Sequence, residues 1–129
     1  MSAEKVIYSI LKNDSEVSAV TTRIFPVILP QGASLPAIVY QQVSDPSFKD
    51  IAGVTNYGNT RMQINIFSGK YSEAKSLTKK VKSALNNYSG IVDTTDVHQI
   101  TVEDEIDDFE PTTQFYRVIV DVIVRFTKS

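Results

Sequence analysis

The sequence predicts an α+β domain: a mainly antiparallel sheet with two helices packed on one face and one long C-terminal strand. Three observations carry this. Apolar residues alternate with period two over 60–68 and again over 115–127. They recur at helical spacing over 3–12 and 71–88. The order helix, strand, long loop, strand, helix, strand, strand favours hairpin-like pairs over repeated strand–helix–strand units. At 129 residues, 42% hydrophobic and with its ten Gly and Pro spread out, the chain reads as one domain over 1–129 without a flexible linker.

In order, Val6, Ile7, Ile10 and Leu11 form one stripe of a short helix, which Asn13-Asp14-Ser15 stops. Val17–Val20 reads as a further half turn. Pro26, Pro30 and Pro36 then deny backbone donors and fix φ, so 23–36 reads as extended connection, neither helix nor central strand. Ala37–Ser44 is rich in β-branched and aromatic residues and reads as a strand. Residues 45–59 read as a long loop punctuated by Pro46, Gly53 and Gly58. In Thr60–Ser68, Met62, Ile64 and Ile66 face one way and Arg61, Gln63 and Asn65 the other. Tyr71–Tyr88 carries the stripe Ala74, Leu77, Val81, Ala84, Leu85 and Tyr88, and Asn86-Asn87 with Gly90 end that helix. Val97–Asp104 is a strand candidate. Phe115–Thr127 has an unbroken apolar face, Tyr116 to Phe126. At about 3.3 Å per residue it would reach about 43 Å, longer than the roughly 36 Å expected of the domain's diameter. It must therefore bend or project, and a projecting strand offers unpaired edges to partners.

Composition excludes more than it suggests. There is no cysteine, hence no disulfide scaffold, thiolate metal site or cysteine nucleophile. A net charge of −2 gives no bulk attraction to nucleic acid or to an anionic membrane. The longest apolar stretch, Val118–Val124, is interrupted by Asp121 and falls far short of the ~20 residues that span a bilayer. No signal peptide is read at the N-terminus, and a soluble protein of a reducing compartment is expected.

Charge is segregated. Residues 61–90 carry six basic groups and one acidic, and residues 91–129 carry three and nine. Within 103–110, six of eight residues are acidic. A hard-cation site is one reading of Glu103, Asp104, Glu105, Asp107 and Asp108. However, the run lacks the glycine and spacing of a calcium loop, and consecutive carboxylates of an extended segment cannot converge on one ion. A solvated acidic loop, or a loop docking on a basic surface, fits better. Lys75, Lys79, Lys80 and Lys82 wrap their helix without interleaved aromatics; they read as a solvated face or as docking charges, placed at the opposite end or side of the subunit from the acidic loop. His98 stands alone and reads as a strand surface residue, since no nucleophile elbow or phosphate loop accompanies it. No catalytic, cofactor or metal residue is assigned. On the last strand, Ile119 and Ile123 interrupt a charged face of Arg117, Asp121 and Arg125. Helix packing over that face and a subunit interface are the two readings. The apolar residues Phe48, Ile51, Val54 and Tyr57 of the long loop support the interface, because monomers rarely expose so much apolar loop.

A collinear series of motifs adds to this. It comprises Leu11-Lys-Asn-Asp14, Arg23-Ile-Phe-Pro26, Leu29-Pro-Gln31, Leu35-Pro-Ala-Ile-Val-Tyr40, Arg61-Met-Gln-Ile-Asn-Ile-Phe67, Tyr71-Ser-Glu-Ala74, Glu103-Asp-Glu105 and Tyr116-Arg117. The series resembles the tail-completion proteins of long-tailed phages, also called head–tail joining or tail-terminator proteins, over about Val6 to Phe126; 45–59 and 88–97 carry no matching pattern. The resemblance implies a homo-oligomer, a hexameric ring on the head-proximal end of the tail tube. That ring would stop tube growth and dock to the head connector. It implies the tail tube and connector proteins as partners, a virion neck location after assembly in the bacterial cytoplasm, and neither enzyme activity nor cofactor. Nucleic acid is not expected as the primary partner, nor a membrane. The rivals are another neck component, such as a head-closure or minor tail protein, a metal-dependent enzyme using the acidic run and His98, and a nucleic-acid adaptor using the lysine helix.

Overall fold

The computed structural model describes residues 3–44, 49–50, 53–54 and 57–127. Helix α1 (Ala3–Asn13) buries Ala3, Val6, Ile7 and Leu11, the stripe its spacing predicts. A second helix follows at once, α2 (Ser15–Val20). Asp14 caps it, its carboxylate accepting from Glu16 N at 2.9 Å and Val17 N at 3.1 Å and so pairing two N–H groups that a helix start leaves unbonded. This makes three helices with α3 (Tyr71–Leu85), one more than expected.

The strands are β1 (Ile24–Pro26), β2 (Ala37–Ser44), β3 (Lys49–Asp50), β4 (Gly53–Val54), β5 (Tyr57–Ser68), β6 (Gly90–Val92), β7 (Thr95–Glu110) and β8 (Phe115–Thr127). Six form one curled sheet in the order β1-β2-β5-β8-β7-β6, while β3 and β4 pair separately. β1 runs parallel to β2; the other four pairings of the large sheet are antiparallel. Part of the segment expected to be connection, 24–26, is thus an edge strand. The expected loop at 45–59 contains β3, β4 and the start of β5.

Register puts the core on one face. The rows Ile38–Ile66–Val118, Tyr40–Ile64–Val120 and Met62–Val122–Val102 cross the sheet, and all but the half-buried Val102 are buried. Against them pack Val6, Ile7 and Leu11 of α1, Val17 of α2, and Ala74, Leu77, Val81 and Leu85 of α3, in one apolar cluster. Each fully buried Val, Leu or Ile is worth roughly 1.5–3 kcal/mol relative to exposure, so this face holds the fold together.

β8 does not project. It is paired along one edge with β5, from Tyr57↔Thr127 to Ser68↔Tyr116, and along the other with β7, from Asp96↔Thr127 to Glu110↔Phe115. Its length is accommodated because its neighbours are equally long and the sheet curls. At one point the two backbones require a glycine: Gly58 faces Phe126 across the pair, and a Cβ there would lie 2.6 Å from two atoms of the Phe126 ring.

Candidate assembly surfaces

The acidic segment is strand, not loop: it is the second half of β7. Two register shifts interrupt β7, one between Val97 and Gln99 and one between Val102 and Asp104. The second leaves Glu103 outside the ladder, as a bulge does, and resets which residues face which way. Val102, Glu105, Asp107 and Phe109 consequently lie opposite Val122, Val120, Val118 and Tyr116, on the helix face. Asp104, Ile106 and Asp108 lie opposite Asp121, Ile119 and Arg117, on the other face.

On the helix face the carboxylates meet α3. Lys75 donates to Glu105 and, at 2.9 Å, to Asp107; Lys82 donates to Glu105 at 2.7 Å. The Tyr71 hydroxyl donates to Asp107 at 2.8 Å. Around this cluster the rings of Tyr71 and Tyr116 lie 5.7 Å apart and those of Phe109 and Tyr116 4.9 Å apart. Lys75 and Lys82 hold the Glu105 carboxyl below its ordinary range, and Lys75 and then Tyr71 do the same for Asp107. Hydrogen bonds to Glu105 and Asp107 raise the Lys75 ammonium above its ordinary value. The basic helix and the acidic segment, expected at opposite ends or sides of the subunit, are therefore each other's partners within one chain. Lys79, Lys80, Glu103 and Asp104 make no ion pair among the described residues.

The opposite face of the sheet carries no helix from the core cluster. There Arg117 pairs with Asp108 at 2.6 Å, Arg61 approaches Asp121 at 3.9 Å, and Arg125 donates to Thr101 at 3.0 Å. Inside this charged frame runs the row Val39–Asn65–Ile119–Ile106. Ile123 opposes Arg61 and Thr101. Asn65 is buried, and its amide Nδ2 donates to Gln63 at 3.2 Å, yet its Oδ1 has no hydrogen-bond partner among the described residues. A buried acceptor left unpaired is costly in water-excluded surroundings; this one lies on the face away from the helices, where its row neighbour Val39 is buried as well. Of the other expected interface residues, Phe48 and Ile51 lie outside the described residues. Val54 ends β4 and Tyr57 opens β5.

His98 is exposed, and its Nε2 lies 2.6 Å from the Thr127 hydroxyl, next to the first β7 register shift. Among the described residues no three His, Cys, Asp or Glu side chains group to hold a metal ion, and no helix is long and apolar enough to cross a membrane. A cleft of about 620 Å³ lies between α1 and the β1–β2 edge, lined in part by Tyr8, Val27 and Tyr40. Burial raises the Tyr40 hydroxyl pKa there.

The described residues form a small α+β body with helices on one face of the sheet and charges gathered along one long hairpin. Comparison gives that body its setting. The model of the tail completion protein gp17 family matches residues 5–127, and the chain belongs to that family: it is a structural protein of the phage tail. A solved chain from the virion of a native gene transfer agent particle superposes with a TM-score of 0.74 at 13% identity, covering 94% of this chain and 91% of that one; this likeness is one of fold. The comparison with curated protein sequences gives no match.

Proposed function

We propose that the protein, one domain over 1–129, assembles as a hexameric ring at the head-proximal end of the tail tube, ends tube growth there and joins the tube to the head connector. Its role is structural and involves no catalytic step. The observation that carries this reading is the family match over nearly the whole chain. The sheet face away from the helices supports it: Ile106, Ile119 and Ile123 stand in a frame of Arg61, Arg117, Asp121 and Arg125, the mixture of apolar centre and polar rim that interfaces use. Electron microscopy of particles lacking the protein tests the reading. Tails of abnormal length beside filled heads are expected. Tails of normal length beside leaky heads would move the protein to head closure and overturn its role as terminator.

A further inference from the structure

Over its first half, β7 is closed on the side away from β8. β6 pairs with it at 95–97. Beyond that, Ile100 N–H donates to Tyr88 C=O at 3.0 Å, Asn87 N–H donates to Ile100 C=O at 2.8 Å, and Val102 N–H donates to the Asn86 side-chain oxygen at 3.3 Å. In an antiparallel strand the outward backbone groups fall on alternate residues, here 100 and 102. The register shift between Val102 and Asp104 adds one residue, Glu103, and so moves the alternation to 105, 107 and 109. Among the described residues no strand pairs with that stretch on its outer side. Such an edge is a template on which another chain can add a strand.

Glu105 N–H does not stand open on this edge. It donates at 2.8 Å to Oδ1 of Asp104, the residue before it. Asp108 stands in the same relation to Phe109: Arg117 first, and then the Phe109 N–H, hold its carboxyl below the ordinary range. Between the two, Asp107 follows Ile106, whose side chain has no acceptor to offer. Asp104 is otherwise poorly placed. Aspartate is depleted in strands, and Asp104 lies opposite Asp121 in the ladder, where like charges repel. It makes no ion pair among the described residues. Its bond to Glu105 N–H is the use that the structure gives it. The far edge of the sheet is blunted by other means: Pro26 of β1 carries no N–H, and its C=O accepts from Ile28 N–H at 2.7 Å.

We propose that Asp104 guards the edge of β7: its carboxylate occupies the outward N–H of Glu105 and keeps 103–110 from taking on a strand of another chain. Repulsion by charge alone is a different cause, and substitutions separate the two. Asp104→Asn keeps the Oδ1 acceptor and removes the charge, whereas Asp104→Val removes both and favours strand. Amide hydrogen exchange read by nuclear magnetic resonance, corrected for intrinsic rates, reports the local bond, and light scattering of the same samples reports mass. In the parent in dilute solution, Glu105 N–H is expected to exchange several-fold more slowly than Asp107 N–H. Asp104→Val, checked for folding by circular dichroism, is expected to lose that protection when dilute. As concentration rises it should gain protection at both Glu105 and Asp107, with a mass above the parent's at the same concentration. Asp104→Ala is expected to do the same and serves where the valine variant does not fold. Asp104→Asn is expected to behave as the parent does. Equal exchange of Glu105 and Asp107 in the parent would overturn the guard, as would a folded Val or Ala variant with the parent's mass at every concentration. An Asn variant that associates as the Val variant does would leave the edge to charge alone and likewise overturn it. Each variant is compared with the parent at one concentration, so any assembly that the parent itself forms is common to both.

Discussion

Replacing Gly58 by alanine sets two effects of opposite sign against each other. In a strand interior, alanine normally stabilises relative to glycine by about 0.5–1 kcal/mol, chiefly by restricting the unfolded chain. At Gly58 the new methyl would sit 2.6 Å from Cε1 and Cζ of Phe126 and 3.1 Å from Cδ1, whereas carbon atoms pack best at about 3.5–4.0 Å. Phe126 is 2% exposed within the core, so its ring cannot swing into solvent, and forcing a methylene-sized group into such a place costs about 1–3 kcal/mol. The overlap wins. The expected net loss is about 1–2 kcal/mol, which for a chain of this size lowers Tm by about 4–8 °C. Thermal unfolding followed by circular dichroism reads it, with Gly69→Ala as control, because a Cβ at Gly69 meets nothing within 4 Å. Gly69→Ala is expected at or slightly above the parent Tm. Adding Phe126→Leu to Gly58→Ala should cost less than the sum of the two single changes. A Gly58→Ala protein as stable as the parent would refute the reasoning, since the backbones would then not need the missing side chain.

The remaining expectations concern the ion cluster, the cap and the sheet face away from the helices. The lowered carboxyls of Glu105 and Asp107 contribute stability that is complete above their ordinary values of 4.5 and 3.8 and is lost as pH falls through the lowered ones. Lys75 contributes fully below its ordinary 10.5 and loses its part only as pH rises through its raised value. Lys75→Met should therefore cost up to about 1 kcal/mol at neutral pH, the exposure of these groups limiting the effect, and the gap should close toward pH 2–3; a Tm difference that stays constant on acidification would contradict the pairing. Asp14→Ala removes both acceptor bonds at the start of α2 and should cost about 0.5–2 kcal/mol in denaturant titration; an unchanged midpoint would mean that the cap is idle. Ile119→Asp with Ile123→Asp should leave the far-ultraviolet spectrum intact and abolish assembly, and rings that persist in light scattering would take this face out of the interface.

Where one physical pattern dominated, the sequence was readable. β5 and β8 alternate because only one of their faces is buried, and α3 shows its stripe because Ala74, Leu77, Val81 and Leu85 all meet that face. The family resemblance was also legible, through motifs spread along the chain and not through any one site. What was hidden depended on distant partners. β1 and β6 are three residues each and exist because β2 and β7 lie beside them. α3 stops at Leu85, short of the expected Tyr88, because Asn87 turns to positive φ, and the backbone of 87–88 bonds to Ile100 of β7 instead. The run 103–110 looked like loop because its carboxylates suit water. It becomes strand because a shift at Glu103 brings two of them to Lys75 and Lys82, and no local signal announces that shift. The candidate surface was half legible: Ile119 and Ile123 stood out among charges, whereas Ile106 needed the register.

The position of β8 bears on how the molecule is made. It is the last of these strands to leave the ribosome and yet the centre of the sheet. β5 and β7 cannot be joined until it arrives, and partners as distant as Tyr57 and Thr127 must wait for nearly all the intervening chain. Pairings of such long range form slowly, so β5 and β7 spend time with open edges among many nascent copies. The carboxylates along β7 then have a second use, because strands dense in like charge do not pair with their own kind. The sheet face away from the helices, which needs β5, β8 and β7 side by side, comes into being only with that final insertion. An unfinished subunit thus has no completed surface to offer a neighbour.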